Sequence, residues 1–290
     1  MLEHLIDTPD GRRLRVREDG DPDGRPVLVH HGTPGGALLY RPHVEDAAAK
    51  GIRLVACARP GYDNSTPQPG RRVADAAADA TAVSDALGFD RFATWGSSGG
   101  GPHVLACAAL LPERVVAAAT LASIAPYGAE GLDWTAGMGA DNVAEFEASL
   151  AGAEPLTSYL ERVAPQLLAA EPEHILDTVG SVVSEVDAAV LTGEYAEFLR
   201  DALHAALANG VAGWRDDDLA FVEPWGFELE QMRVPVLVRQ GAQDRMVPFA
   251  HGEWLARRIP GVDAQLSESD GHLTLEATVP DVHAWLLERF

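Results

Sequence analysis

The chain has 290 residues, of which 47% are hydrophobic and 23% charged, and its formal net charge at pH 7 is −22. This composition is ordinary for a soluble globular protein with one large domain, or with a domain that carries an insertion. The negative charge argues against binding to nucleic acid or to an anionic membrane, and no apolar run is long enough to cross a bilayer.

The two cysteines bear on the cellular compartment. Cys57 and Cys107 lie in apolar segments and are predicted to be small core residues rather than a disulfide pair. Residues 1–7 have no basic head followed by an apolar stretch, which a secretory signal would show. We therefore expect a cytoplasmic protein.

Strands and helices alternate through the first 125 residues. Short apolar runs rich in β-branched residues indicate buried parallel strands, and longer alanine-rich runs indicate helices. The predicted strands cover residues 14–18, 27–30, 52–56, 92–96 and 115–121, and the predicted helices cover 38–50, 73–87 and 101–111.

The alternation stops at Pro126 and resumes near residue 234. Residues 126–231 have a helical pattern broken by glycines and prolines. Strands at 234–238 and 264–266 and helices at 249–258 and 279–290 then complete the chain. We therefore predict an α/β fold, with a mainly parallel eight-stranded sheet that has helices on both faces. We expect residues 1–125 and 232–290 to form the core. Residues 126–231, called the cap below, are expected to form a helical insertion after strand 6 of the eight, which is the strand at 115–121.

The pentapeptide Gly96-Ser97-Ser98-Gly99-Gly100 fits the pattern G-x-S-x-G between a predicted strand and a predicted helix. A serine on such a sharp turn is exposed, and the helix that follows offers free N–H groups to an oxyanion. Ser97 would need a glycine at position 95, which is Trp95. Ser98 is therefore the candidate nucleophile.

A serine hydroxyl needs a general base, and the base needs an acid to orient it. Asp244 and His272 follow Ser98 in that order, and each lies just after a predicted strand. The carboxyl ends of parallel strands share one edge of a sheet, so the three side chains should meet there. Ser98, Asp244 and His272 are the predicted catalytic residues.

Other residues could compete for two of these roles. Asp270 adjoins His272 but fits a turn cap, and residues 216–218, three aspartates of the cap, look like a helix boundary. His103, one turn into the helix after Ser98, fits packing better than proton transfer. The position after strand 115–121, where many enzymes with this layout place the acid, holds no carboxylate.

The oxyanion of a tetrahedral intermediate needs two hydrogen-bond donors. The N–H of Gly99, directly after the nucleophile, is one candidate. The loop at residues 31–35 follows the strand at 27–30, and Pro34 has no N–H to give. The N–H of Thr33 is therefore the second candidate.

These features together resemble the α/β-hydrolase family. The residues that carry the resemblance are the loop at 31–35, Arg59-Pro60-Gly61-Tyr62, the pentapeptide at 96–100, and Asp244 with His272. The resemblance implies a hydrolase with a serine acyl-enzyme intermediate, without cofactor or metal. Ser98 argues against the branches with an aspartate nucleophile. Perhydrolases, acyltransferases, carbon–carbon bond hydrolases and hormone receptors of the same fold remain open.

The cap carries most of the net charge, because it holds 21 of the 44 acidic residues and only three of the 22 basic ones. Solvated helix faces explain this best, and a cation-attracting cap is the alternative. The loop at 31–35 also resembles that of proline iminopeptidases, in which cap glutamates hold the substrate's amino terminus. Those enzymes typically carry tryptophan after the nucleophile, where this chain has Gly99.

The cap also offers aromatic residues for a substrate pocket. Trp134, Trp214 and Trp225 are the candidates, although packing inside the cap is the favoured explanation for at least half of the cap aromatics. Residues 99–101, all glycine, should leave the turn at Ser98 open on one side for a bulky acyl group.

The sequence thus predicts a serine hydrolase for a carboxylic ester or lactone. The expected substrate is a small hydrophobic molecule, neutral or cationic. An aminopeptidase or amidase of the proline iminopeptidase type, and a ligand-binding protein without turnover, are the alternatives. The chain could form an oligomer.

Overall fold

The computed structural model describes residues 1–290, apart from the side chains of residues 175 and 177. Eight strands form one sheet in the order β1-β2-β4-β3-β5-β6-β7-β8. The strands are β1 (Leu2–Asp7), β2 (Arg13–Gly20), β3 (Arg25–His30), β4 (Ile52–Cys57), β5 (Phe92–Ser97), β6 (Val115–Leu121), β7 (Val236–Gly241) and β8 (Asp263–Ser267). Strand β2 runs antiparallel to both β1 and β4, and every pairing from β4 to β8 is parallel.

Helices connect the parallel strands and cover the sheet. Those of the core are α1 (Arg41–Ala49), α2 (Ala76–Leu87), α3 (Gly101–Leu110), α10 (Phe249–Arg258) and α11 (Val279–Leu287). Those of the cap are α4 (Ala140–Ala151), α5 (Ala153–Ala169), α6 (Ile175–Val179), α7 (Glu185–Val190), α8 (Gly193–Leu207) and α9 (Ala212–Val222). None of the helices in the described part of the chain is long and apolar enough to pass through a membrane.

The central strands are apolar on both faces, as a sheet between two helical layers requires. All seven residues of β6 are buried. Along β3, Leu28 packs into one hydrophobic cluster while Val27 and Val29 pack into another. The alternation places a separate core on each face of the sheet.

The predicted fold class is confirmed. The bounds of β6 and α10 agree with the predicted 115–121 and 249–258. Strand β1 is absent from the predicted elements, because only Ile6 of its six residues is buried. An exposed edge strand of this kind lacks the apolar run that identifies the buried strands.

The cap helices pack on each other and on the core through apolar faces. In α5, Leu156, Leu160, Ala164 and Leu167 are buried, which is the spacing of one helix face. The cap lies between β6 and β7 in the chain, at the carboxyl edge of the sheet where Ser98 also lies. The space between cap and core therefore opens onto that serine.

Candidate active site

Ser98 stands on a strained turn between β5 and α3. Its φ is +53°, in the left-handed region that non-glycine residues rarely adopt. Residues Ser98–Gly100 form a 3-10 turn that leads into α3. Because the first N–H groups of a helix have no intrahelical partner, this turn offers donors beside the serine.

The three glycines after Ser98 are packed closely, so the expected opening beside the turn is wrong. A Cβ on Gly99 would lie 2.3 Å from the hydroxyl oxygen of Thr33. One on Gly100 would lie 2.2 Å from the backbone oxygen of His30, and one on Gly101 would lie 2.1 Å from the hydroxyl of Ser123. These glycines let the turn at Ser98 approach its neighbours closely, so a side chain at any of the three positions would collide with them.

Asp244 and His272 lie next to each other at the same sheet edge. Asp244 follows β7, and its Oδ2 accepts a 2.8 Å hydrogen bond from Nδ1 of His272. Gln240 donates to the same oxygen, and the N–H groups of Met246 and Val247 each donate to Oδ1 at 2.8 Å. The carboxylate is thus fixed on both oxygens, and it orients the imidazole.

The surroundings of His272 favour its charged form. Burial alone lowers the pKa of His272, but the charge and hydrogen bond of Asp244 outweigh burial and raise it above the ordinary 6.5, with smaller contributions from Asp187 and Glu276. Among the side chains that the structure describes, no hydrogen bond joins Ser98 Oγ to the ring. Such contacts often tighten only when substrate binds.

Thr33 lies directly beside Gly99, in the loop after β3. Its hydroxyl donates to Oδ2 of Asp217 at 2.8 Å, and Nη2 of Arg59 donates to the Thr33 hydroxyl and to the backbone oxygen of Gly32, both at 2.9 Å. The two predicted oxyanion donors, Gly99 and Thr33, are therefore neighbours, and the loop that carries Thr33 is held from the cap.

Asp217 on cap helix α9 is the centre of a buried ionic cluster. Besides Thr33 it accepts hydrogen bonds from Arg59 and from Arg71, each at 2.6 Å, and from the hydroxyl of Tyr62 at 2.9 Å. Burial would raise the pKa of this carboxyl, but the two guanidinium groups hold it well below 3.8. The cluster ties the cap to the loops around Ser98.

This role of Asp217 differs from the one that the sequence predicts. Residues 216–218 were expected at a helix boundary, yet they lie inside α9, with exposed fractions of 2%, 0% and 1%. The arginines that neutralise Asp217 are more than a hundred residues away in the chain. The signal that could have found it is Arg59, which lies in one of the motifs that carry the family resemblance.

A cavity of about 580 Å³ separates cap and core. Ser98, Gly99, Thr33 and His272 line it from the core side. Its apolar lining from the cap includes Phe146, Leu167, Leu203, Trp214 and Phe221. This volume fits a small organic molecule.

Only one of the three candidate pocket tryptophans lies at the cavity. Trp214 lines it, whereas Trp134 and Trp225 do not and are buried in the hydrophobic core. Trp134 donates its indole N–H to the backbone oxygen of Ala125 at 2.7 Å and packs edge-on against Phe146. Sequence cannot separate these roles, because all three tryptophans are equally apolar.

Two acidic side chains meet at the cap wall of the cavity. Asp218 is 1% exposed and its Oδ2 has no hydrogen-bond partner among the described groups, while the indole N–H of Trp214 donates to Glu145 at 2.8 Å. Burial and the neighbouring Glu145 raise the pKa of Asp218 well above 3.8, and burial raises the pKa of Glu145. The surroundings therefore favour the neutral form of both carboxyl groups.

Comparison with known proteins identifies the class. Residues 25–276 match the sequence model of the alpha/beta hydrolase fold, and the chain belongs to that family. It is 28% identical over 249 residues to a non-heme chloroperoxidase of Streptomyces lividans, covering 84% of this chain and 83% of that protein.

Two further relatives show how far the likeness extends. An esterase from Rhodococcus sp. ECU1013 superposes with a TM-score of 0.70 at 19% identity and full coverage of both chains, which is a likeness of fold. A proline iminopeptidase of Xylella fastidiosa is 32% identical over 120 residues, which is 39% of this chain and 37% of that one.

Proposed function

We propose that this chain is a serine hydrolase that cleaves a carboxylic ester or lactone through an acyl-enzyme. The observation that carries the proposal is the Asp244–His272 pair at the same cavity as the strained Ser98. In this scheme His272 takes the proton of the Ser98 hydroxyl as its oxygen attacks the substrate carbonyl.

The later steps use the neighbouring N–H groups. The tetrahedral oxyanion accepts hydrogen bonds from the N–H groups of Gly99 and Thr33. The intermediate then expels the alcohol, which takes the proton from His272. Water then attacks the acyl-serine and gives a proton to His272. The bond between the acyl carbon and Ser98 Oγ breaks, His272 returns the proton to that oxygen, and the carboxylic acid leaves.

The cavity favours a hydrophobic substrate that is neutral or cationic. Its cap wall is mainly apolar, and its acidic lining residues, Asp141, Glu145, Asp218 and Glu276, face only one arginine or lysine, Arg162, among the described residues. An anionic substrate would meet a like-charged wall.

The test combines labelling with turnover. We expect a fluorophosphonate probe to label wild type on Ser98, and an aryl-ester and lactone panel to show turnover. Ser98→Ala should lower kcat/KM by at least about 10⁴-fold because it removes the nucleophile. Ser97→Ala, the neighbouring serine, is the matched control and should stay near wild type. Full activity of Ser98→Ala would overturn the proposal.

An aminopeptidase or amidase is the second candidate. The two carboxyl groups of Glu145 and Asp218 at the cavity wall are what favours it, because a substrate ammonium group could pair with them there. Assaying an aryl ester and a prolyl arylamide side by side separates the two. Faster turnover of the arylamide would assign the amide reaction, and binding of ligands without turnover of either would assign a receptor.

A further inference from the structure

Asp187, on the short cap helix α7, makes an unusual set of contacts. Its side chain is fully buried, with an exposed fraction of 0%. Its Oδ2 accepts the backbone N–H of His272 at 3.0 Å, and its Oδ1 accepts those of Leu273 at 2.7 Å and Thr274 at 3.1 Å. One cap carboxylate thus holds three consecutive N–H groups of the loop that carries the candidate base.

The charge of this carboxylate is stabilised without a neighbouring cation. The hydroxyl of Ser184 donates to Oδ2 at 2.7 Å, and no lysine or arginine pairs with Asp187 among the described residues. Burying a charge costs several kcal/mol unless hydrogen bonds or a counter-ion compensate. The hydroxyl of Ser184 and the three backbone N–H groups of residues 272–274 supply that compensation.

The loop is shaped to admit the carboxylate. A Cβ on Gly271 would lie 2.4 Å from Oδ2 of Asp187 and 2.5 Å from its Cγ. Any side chain at position 271 would therefore displace Asp187 or the loop. Gly271, directly before His272, therefore leaves the space that the carboxylate of Asp187 occupies.

We propose that Asp187 is a positioning residue that fixes the His272 loop from the cap and stabilises the imidazolium formed during the reaction. This inference rests on the proposed function, since it assigns Asp187 to the same proton transfer. Asp187 makes no hydrogen bond to Ser98 and does not line the cavity, so it acts only through the loop of His272. A cap residue is thereby part of the reaction of a core triad.

Three carboxylates act on His272 from three elements. Asp244 comes from the loop after β7, Asp187 from α7, and Glu276 from the 3-10 helix Thr274–Thr278. All three raise the pKa of His272 against the effect of burial, Asp244 most strongly. Removing the charge of Asp187 should therefore lower the pKa of His272.

The test compares Asp187→Asn with Glu185→Gln, which removes one charge from an exposed position of the same helix. For Asp187→Asn we expect kcat on an aryl ester to fall roughly tenfold to a hundredfold, with KM nearly unchanged, because the base is misplaced in the reaction itself. The acidic limb of the pH profile of kcat/KM should move to lower pH. Glu185→Gln should keep both kcat and the limb.

Two further readouts separate this inference from the proposed function. The rate of fluorophosphonate labelling follows the activation of Ser98 without requiring a natural substrate. An NMR titration of the His272 ring, assigned with His272→Ala, follows its pKa without requiring any reaction. A wild type that neither labels nor turns over esters would overturn the proposed function, and the titration would still decide the link between Asp187 and His272.

The inference is overturned if Asp187→Asn has the kcat, pH limb and ring pKa of Glu185→Gln. It is also overturned if Asp187→Asn loses thermal stability and activity while the pH limb stays in place, because Asp187 would then only hold the fold together. The inference is supported if Asp187→Asn has a lower kcat, an acidic limb of kcat/KM at lower pH, and a lower pKa of the His272 ring.

Discussion

Asp217 and Asp218 are adjacent on α9 and equally buried, yet their surroundings drive their protonation in opposite directions. Asp217 faces the core loops and meets Arg59 and Arg71, which hold its pKa well below 3.8. Asp218 faces the cavity and meets Glu145, so its pKa lies well above 3.8. Burial raises the pKa of both carboxyls, and the neighbouring charges decide the outcome.

The difference shows that α9 has two tasks on two faces. Successive helix residues point about 100° apart, so adjacent aspartates can lie in separate environments. One face fastens the cap to the loops of Thr33 and Arg59, and the other lines the space in which a substrate would lie. The next three experiments test this division.

The largest effect is expected from removing Asp217. Asp217→Ala leaves the buried guanidinium groups of Arg59 and Arg71 without their counter-ion, and should lower the free energy of unfolding by about 3–5 kcal/mol. Urea unfolding measures this. Asp201→Ala, at an exposed position of α8, is the control and should change stability by less than about 0.5 kcal/mol. An Asp217→Ala loss as small as that of the control would contradict a structural role for the cluster.

A smaller effect is expected from one hydrogen bond of the same cluster. Tyr62→Phe removes the 2.9 Å bond from the phenol to Asp217 and should cost about 1.5–3 kcal/mol, the range for a bond to a charged group. Tyr127→Phe, at a residue 41% exposed, is the matched control. Equal urea midpoints for the two variants would show that Arg59 and Arg71 suffice for Asp217.

The smallest effect, and one that depends on pH, is expected at Asp218. A carboxyl whose pKa is raised by folding stabilises the protein most below the unfolded pKa, and this contribution is lost as pH rises toward the folded pKa. At pH 4 we expect Asp218→Asn and wild type to agree within about 0.5 kcal/mol. At pH 9 the variant should be more stable by about 1 kcal/mol or more, because a buried like charge is gone.

Asp217 provides the contrast in the same measurement. Its pKa is lowered by folding, so its contribution is present above the unfolded pKa and is lost as pH falls through the folded pKa. Acid should therefore weaken the Asp217 cluster while alkali weakens the Asp218 pair. Chemical unfolding between pH 3 and 9 tests both, and an Asp218→Asn curve parallel to wild type would refute the raised pKa.

The core could be predicted from sequence because its signals are local. The strand at 115–121 is a continuous apolar run, and Ser98, Asp244 and His272 each follow a strand in a motif with glycine. Their placement at one sheet edge follows from parallel topology. The structure brings Asp244 and His272 together, and the catalytic roles stay predictions for the labelling experiment.

The cap could not be predicted in the same way because its signals are distant. Three consecutive aspartates look like a helix boundary until Arg59 and Arg71, from distant parts of the chain, are seen beside Asp217. Asp187 accepts hydrogen bonds from backbone N–H groups 85 to 87 residues away in the chain. Because nearly every residue has such a group, the sequence does not indicate which ones Asp187 contacts. Trp214 and Trp225 look alike in the sequence, and only the structure shows that Trp214 lies at the cavity and Trp225 does not.

The fit between Asp187 and Gly271 has a consequence for protein engineering. Replacing residues 126–231 with the insertion of another family member would remove Asp187. The space beside Gly271 would then be empty, and the N–H groups of residues 272–274 would lose their acceptor. A chimera would need to bring its own acceptor for the three N–H groups, or a redesigned loop at 271–274. Substrate range in this scaffold is therefore better altered by changing single cavity residues than by exchanging the whole insertion.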